Sequence, residues 1–262
     1  MKHITVVLSG AVVLTALAGC GVEIPSTPGN ARPVSAAPSR PPKEVLTDSL
    51  QVLDRTAYNF AIKQGDKSGG GRVDPGAHAA FLEQGGDVAL PDGSTIHVSV
   101  AYTIVAPDFY LQADFGEQIN QHYGMVPGTW MKIDQKKITG TAIPIDEAGN
   151  PEPGIGALLA TLGDVQRPDK TRLAGTVDLT GVEGIMAPSE QAVKNAGAKA
   201  SAVPFTATLD DRNRLTGIHI DGSKLDKNLS TELTFTGYGS VAPITAPANA
   251  VAAPDAVYEL IG

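Results

Sequence analysis

Apolar and polar positions alternate most cleanly over residues 94–105, where Ile96, Val98, Val100, Tyr102 and Ile104 share one face and Thr95, His97, Ser99, Ala101 and Thr103 the other. A period of two predicts a strand with one buried side. Pro91-Asp92-Gly93 precedes it as turn chemistry, and Ala106-Pro107-Asp108 leads into a second alternating run of Phe109, Leu111, Ala113 and Phe115. Together the runs predict an antiparallel hairpin, apolar on one side. Tyr58, Phe60 and Ile62 announce an earlier strand, and further strand-like runs cover Trp130–Ile133, Thr171–Thr180, Val203–Asp210, Arg214–Asp221, Thr231–Tyr238 and Val241–Ala246. Asp210-Asp211-Arg212-Asn213 reads as a hairpin turn in which Asn can take a positive φ. The period becomes helical at Glu44–Arg55, through Leu46, Leu50 and Leu53, and again where Ile155, Leu158, Leu159 and Leu162 follow Pro153-Gly154. A third candidate helix starts at Pro188, a residue suited to a first helical turn. Gln64–Gly71, rich in glycine and charge, reads as a turn or loop, as does Asp134–Pro153. The sum is an α+β domain of about eight antiparallel strands in one strongly curved sheet, with helices lying against it.

A different pattern rules the N-terminus. After Lys2 and His3, residues 4–18 are apolar apart from Ser9, Gly10 and Thr15. That run is too short to span about 30 Å of hydrocarbon with ease and has the build of a signal peptide. It ends in Leu17-Ala18-Gly19-Cys20, which resembles the lipobox of bacterial lipoproteins. The resemblance implies that the Cys20 thiol takes a diacylglyceryl group, that residues 1–19 are removed and that Cys20 becomes the first residue. Two or more acyl chains, at about 0.8 kcal/mol per buried methylene, make a stable anchor where one is marginal. The expected location is therefore the extracytoplasmic face of the cell membrane. Residues 20–43, the lipidated Cys20 and a stretch with six prolines among Ser, Ala, Gly and Asn, have little to bury and read as an extended linker. The folded domain is expected over residues 44–262.

Composition adds three constraints. Cys20 is the only cysteine, so the exported domain has no disulfide to lean on and must be held by an apolar core, for which 42% hydrophobic against 18% charged residues is ample. The chain carries a formal net charge of −8. An acidic surface argues against nucleic acid and against electrostatic docking on anionic lipid, which leaves the tether to hold the protein at the membrane.

Catalytic chemistry finds little footing. His78, His97, His122 and His219 are scattered, with no His-Glu-x-x-His and no partner cysteine, so no metal site is expected. There is no Gly-x-Ser-x-Gly elbow, and Asp146-Glu147-Ala148-Gly149-Asn150 lacks the spacing of a calcium loop. Gly69-Gly70-Gly71 is not followed by Gly-Lys-Ser/Thr and reads as a flexible hairpin rather than a phosphate cradle. The expectation is a protein without cofactor that is not an enzyme.

Three stretches carry a second resemblance: Gly175-Thr176-Val177-Asp178-Leu179-Thr180, Val203-Pro204-Phe205-Thr206-Ala207-Thr208-Leu209-Asp210 and Leu233-Thr234-Phe235-Thr236-Gly237-Tyr238-Gly239, with Pro243 and Pro247 behind them. They resemble the LppX/LprG-type lipoproteins over about the last third of the chain; Asn213 stands where that family often has Gly. The resemblance implies a LolA-like fold, a half-barrel sheet whose concave apolar face is covered by helices around a cavity for envelope lipids or glycolipids. On that reading the lining is expected from Ile96, Val98, Val100, Tyr102, Ile104, Phe109, Leu111, Leu158 and Leu162. The expected partners are the membrane through the anchor, an acylated lipid or glycolipid, and a membrane transporter or envelope protein. The alternative is a sensor or protein-interaction module on the same fold.

Overall fold

Pro41 and Pro42 open the first helix, α1 (Pro42–Leu53), where the fixed φ of proline suits a first turn and Glu44 sits at the positive end of the helix dipole. Its buried stripe is Val45, Leu46, Ser49 and Leu53. Ser49 is buried without being orphaned, because its hydroxyl donates to the Leu46 carbonyl at 2.7 Å. Lys43 Nζ donates to the Leu162 carbonyl at 3.1 Å and ties the start of α1 to a strand more than a hundred residues away. The computed structural model describes residues 40–89, 93–138, 151, 161–182 and 188–261. Cys20, the linker before residue 40, and the positions Ile155, Leu158 and Leu159 of the expected second helix lie outside the described residues.

Among the described residues the sheet has 12 strands. In chain order they are β1 (Tyr58–Gln64), β2 (Lys67–Asp74), β3 (Ala79–Ala89), β4 (Thr95–Val105), β5 (Asp108–Asp114), β6 (Met131–Ile133), β7 (Leu162–Gln166), β8 (Arg172–Val177), β9 (Val203–Leu209), β10 (Leu215–Ile220), β11 (Thr231–Thr236) and β12 (Val251–Ala252). Spatially they run β12-β6-β5-β4-β3-β2-β1-β11-β10-β9-β8-β7. Two antiparallel meanders, β1 to β6 and β7 to β11, are thus joined side by side where β1 pairs with β11. Among the described strands only the short β12 runs parallel, against β6. Among the described residues three further helices, α2 (Glu117–His122), α3 (Glu190–Ala196) and α4 (Asp255–Ile261), give an α+β architecture built on one large, open and mostly antiparallel sheet.

Because cross-strand partners share a face, the register fixes which side is apolar. Met131, Leu111, Tyr102, Leu82, Gly71, Phe60 and Phe235 follow one another across seven strands. Leu233, Ile218, Ala207 and Leu173 continue the row on β11, β10, β9 and β8. Most of this face is closed: Ile104, Phe109, Leu173, Leu233 and Phe235 are all at or below 2% exposure. The other face is polar over most of its width, with one covered patch. There Phe81, Thr103 and Tyr110 lie in register, the Arg72 guanidinium rests 4.8 Å from the Phe81 ring centre, and Lys132 Nζ sits 5.9 Å from that of Tyr110. The stems of the two cations cover the rings; the Lys132 charge stays near water, whereas Arg72 Nε is buried with no hydrogen-bond partner.

Several expectations are corrected. Gln64–Gly71 is not a loop: the turn is Gly65-Asp66 alone, Gly65 taking φ 57, and Lys67–Asp74 is a strand inside the sheet. Leu162 opens strand β7 rather than ending a helix. Residues 241–246 form no strand, since Pro243 withholds an N–H that a ladder needs; the chain pairs later, at β12. α3 begins after Ser189, whose hydroxyl caps the Ala192 N–H at 3.3 Å, so Pro188 precedes the helix instead of opening it. The strand β3 has no clean alternation to announce it, because Glu83-Gln84-Gly85-Gly86-Asp87 interrupts the apolar period; its eleven residues are held by pairing with β4. The Asp210–Asn213 turn is as expected, with Asn213 at φ 55.

Candidate functional site: an apolar trough over a glycine strand

β2 contributes no side chain to the middle of the apolar face. Gly69 and Gly71 occupy its two positions there, between Ile62 and Phe60 of β1 on one side and Gln84 and Leu82 of β3 on the other. Large side chains on both flanks and none between them leave a trough. It is a slight hollow of about 20 Å³, lined by Phe60, Ile62, Gly70, Leu82, Glu83, Gln84 and Tyr102. Glycine is required there by space as well as by shape. A Cβ built on Gly71 would lie 2.0 Å from the Phe81 carbonyl oxygen, and one on Gly69 2.3 Å from that of Glu83, far inside van der Waals contact.

The floor is aromatic. Tyr102 stacks on Phe109 with ring centres 5.7 Å apart and planes 21° from parallel. Burial pushes the Tyr102 hydroxyl up to about 12, so it stays protonated at any physiological pH. Tyr58, beside Phe60 at 6.3 Å, is likewise raised by burial, with Tyr238 and Asp54 adding to the effect. Glu83 and Gln84 are the polar residues of its lining. The lining is mostly apolar and offers no nucleophile and no paired acids.

Of the positions singled out in the sequence, Tyr102 lines the trough and Val100 packs against the core beside it. Ile96 and Val98 are half-buried farther along β4. Ile104, Phe109 and Leu111 are closed inside the core at 0%, 0% and 1% exposure. Leu162 is buried on β7, the strand at the far edge of the sheet. Leu158 and Cys20 lie outside the described residues. Phe60, Ile62 and Leu82 were not singled out for the site. The alternation of Tyr58, Phe60 and Ile62 was visible, but only the register brings it beside Leu82 and Tyr102.

A second hollow, of about 300 Å³, lies at the turn end of β1 among Lys63, Asp66, His219, Lys227, Ser230 and Glu232. Lys227 pairs there with Asp66. Ser230 Oγ is buried in its wall with no hydrogen-bond partner. Both signs of charge meet in this hollow, so it favours neither cation nor anion. Among the described residues no three His, Cys, Asp or Glu side chains gather as a metal site, and no helix is long and apolar enough to cross a membrane. No protein-family model matches the chain, and no curated protein matches its sequence.

Proposed function

We propose that the chain is a membrane-anchored envelope lipoprotein, tethered through Cys20 at the extracytoplasmic face, whose sheet curves as a LolA-like half-barrel and shelters the acyl chains of a lipid or glycolipid. The observation that carries this reading is the hollow between Phe60, Ile62, Leu82 and Tyr102 on the apolar face, where Ile62 and Tyr102 are half-buried and Phe60 and Leu82 closed. Curvature is supported by the glycines at 69, 71 and 175, where a Cβ would collide with the backbone oxygen of the next strand at 2.3, 2.0 and 2.2 Å. Sheets built of many strands need such points to bend.

The physical motive is the cost of moving a lipid through water. A sixteen-carbon chain exposed to solvent costs about 12 kcal/mol at roughly 0.8 kcal/mol per methylene, and contact with an apolar protein surface removes part of that cost without any chemical step. The test is native mass spectrometry of the protein purified from its own membrane, followed by lipid analysis of the organic extract. A reproducible acylated lipid at near one per chain is the expected result. A lipid-free chain that brings a stoichiometric protein partner instead would replace the carrier with a sensor or interaction module.

A further inference from the structure

At the turn end of β1, opposite charges stand side by side without pairing. Lys63, Glu232 and His219 follow one another across β1, β11 and β10 in direct cross-strand register. Each is one residue along from Ile62, Leu233 and Ile218, so the three stand on the polar face, opposite the core. Side chains opposed in this way have Cβ atoms about 5 Å apart, within reach for Lys63 and Glu232 to join. Among the described residues neither side chain takes part in an ion pair or a hydrogen bond, and the His219 ring makes no hydrogen bond. Ser230, two residues before Glu232, keeps its buried Oγ unpartnered. All four line the second hollow, of about 300 Å³, whose other two charges, Lys227 and Asp66, are spent on each other. The wall is fixed in advance: the Gly65 N–H donates to the Ser230 carbonyl at 3.3 Å, the Leu229 N–H to that of Asp226 at 3.0 Å, and Leu229 is closed at 0% exposure. Asp226 also accepts from the Asn228 N–H and from the Asn195 amide, each at 2.9 Å.

We propose that this hollow binds a small zwitterion, a primary ammonium joined through a few bonds to a phosphate or carboxylate, with the anionic end on Lys63 and Ser230 and the ammonium on Glu232. A lone anion drawn to Lys63 would be repelled by Glu232 beside it, and a lone cation would meet the reverse. A dipolar ligand satisfies both charges at once and gives the buried Ser230 hydroxyl the partner it lacks. The next carboxylate, Asp221 beside His219, is engaged by the Ser223 hydroxyl at 2.7 Å and faced by Lys224, so it does not tip the balance. The hollow lies on the side of the sheet away from the trough, and the inference stands apart from the carrier reading.

The test is isothermal titration of the full-length protein in maltoside micelles at low salt. Glycerophosphoethanolamine and β-alanine supply both charges, the first as a lipid head group and the second as a free amino acid; glycerol phosphate and ethanolamine supply one charge each. At least one of the two zwitterions should bind at a single site per chain, with the single-charge probes weaker by roughly tenfold or more. Which zwitterion binds assigns the source. Lys63→Gln and Glu232→Gln, both at exposed positions, should each weaken the zwitterion several-fold and leave the thermal midpoint where it was. The exchanged pair, Lys63→Glu with Glu232→Lys, keeps both charges and should recover most of the binding, because a small zwitterion can turn round. Glycerol phosphate binding as tightly as either zwitterion would overturn the proposal in favour of a plain anion site. Saturable heat from none of the four probes would overturn it too, as would zwitterion binding that both glutamine variants leave unchanged.

Discussion

Replacing Gly71 by alanine adds one methyl group at the point where the sheet has least room. The new Cβ would stand 2.0 Å from the Phe81 carbonyl oxygen and 3.0 Å from Leu82 Cα, both backbone atoms of β3 that cannot swing aside as a side chain would. Relief to an ordinary C···O contact of about 3.3 Å needs a local displacement on the order of 1 Å, enough to strain the ladder bonds between Arg72 and Phe81. Overpacking of this kind costs about 1 to 3 kcal/mol, and the lower entropy of unfolded alanine returns roughly 0.5 to 1 of it. We expect a net loss of about 1 to 2 kcal/mol, or a fall in thermal midpoint of roughly 2 to 8 °C for a domain of this size. Gly76→Ala is the matched control, because its new methyl meets only Asp74 Oδ1 at 3.5 Å. It should leave the midpoint unchanged or slightly raised. Urea and thermal melts of the two variants beside the parent decide the matter. Coincident midpoints for Gly71→Ala and Gly76→Ala would refute the claim that close strand approach, rather than chance, keeps glycine in β2.

Three other outcomes follow from the same description. Cys20→Ala should abolish metabolic labelling with a radioactive fatty acid, and label incorporation at the parental level would end the anchor reading. Val100→Trp, beside the trough, should keep the fold and lower the lipid recovered per protein, whereas Ile104→Trp, at 0% exposure on the same strand face, should lose about 1 to 3 kcal/mol in urea melts; equal destabilisation by both would mean the face near Val100 is closed core. Burial works to raise the Asp210 carboxyl, but hydrogen bonds from the Arg214 backbone, the Arg214 guanidinium and the Arg212 N–H hold it below the usual carboxylate range. A depressed folded-state value gives stability that is present above the unfolded value of about 4 and lost as pH falls through the folded one, so Asp210→Asn should cost roughly 1 kcal/mol at neutral pH and flatten the acid limb of a stability profile.

How much of this was legible beforehand depended on whether a residue's own side chain announces its surroundings. The β4–β5 hairpin was legible because Ile96 to Ile104 and Phe109 to Ala113 alternate strictly and are punctuated by turn residues on both sides. α1 was legible from Leu46, Leu50 and Leu53, and the turn before β10 from Asn213. β2 and β3 were not. Gly69-Gly70-Gly71 has no side chains to alternate, and Glu83-Gln84-Gly85-Gly86-Asp87 breaks the apolar period, so local preference pointed to a loop in the first case and to nothing in the second. Their strand state comes from neighbours: β1 and β4 offer complete rows of donors and acceptors that must be satisfied on both sides. Leu162 fell to the other strand type for a similar reason, its helical spacing being overruled by pairing with Val177 on β8.

The sequence by itself determined the class of structure, through the strand period, the few helical stripes and the turn residues between them, and it determined that one side of the sheet must be buried. Tertiary structure alone decided that two meanders join where β1 meets β11, that β3–β4 outreaches its neighbours, and that a glycine strand lies between two rows of large apolar side chains. The physical reason is that a strand's period records which way its own side chains point, while a trough is made by the side chains its neighbours have and it lacks. That relation exists only once the register is set.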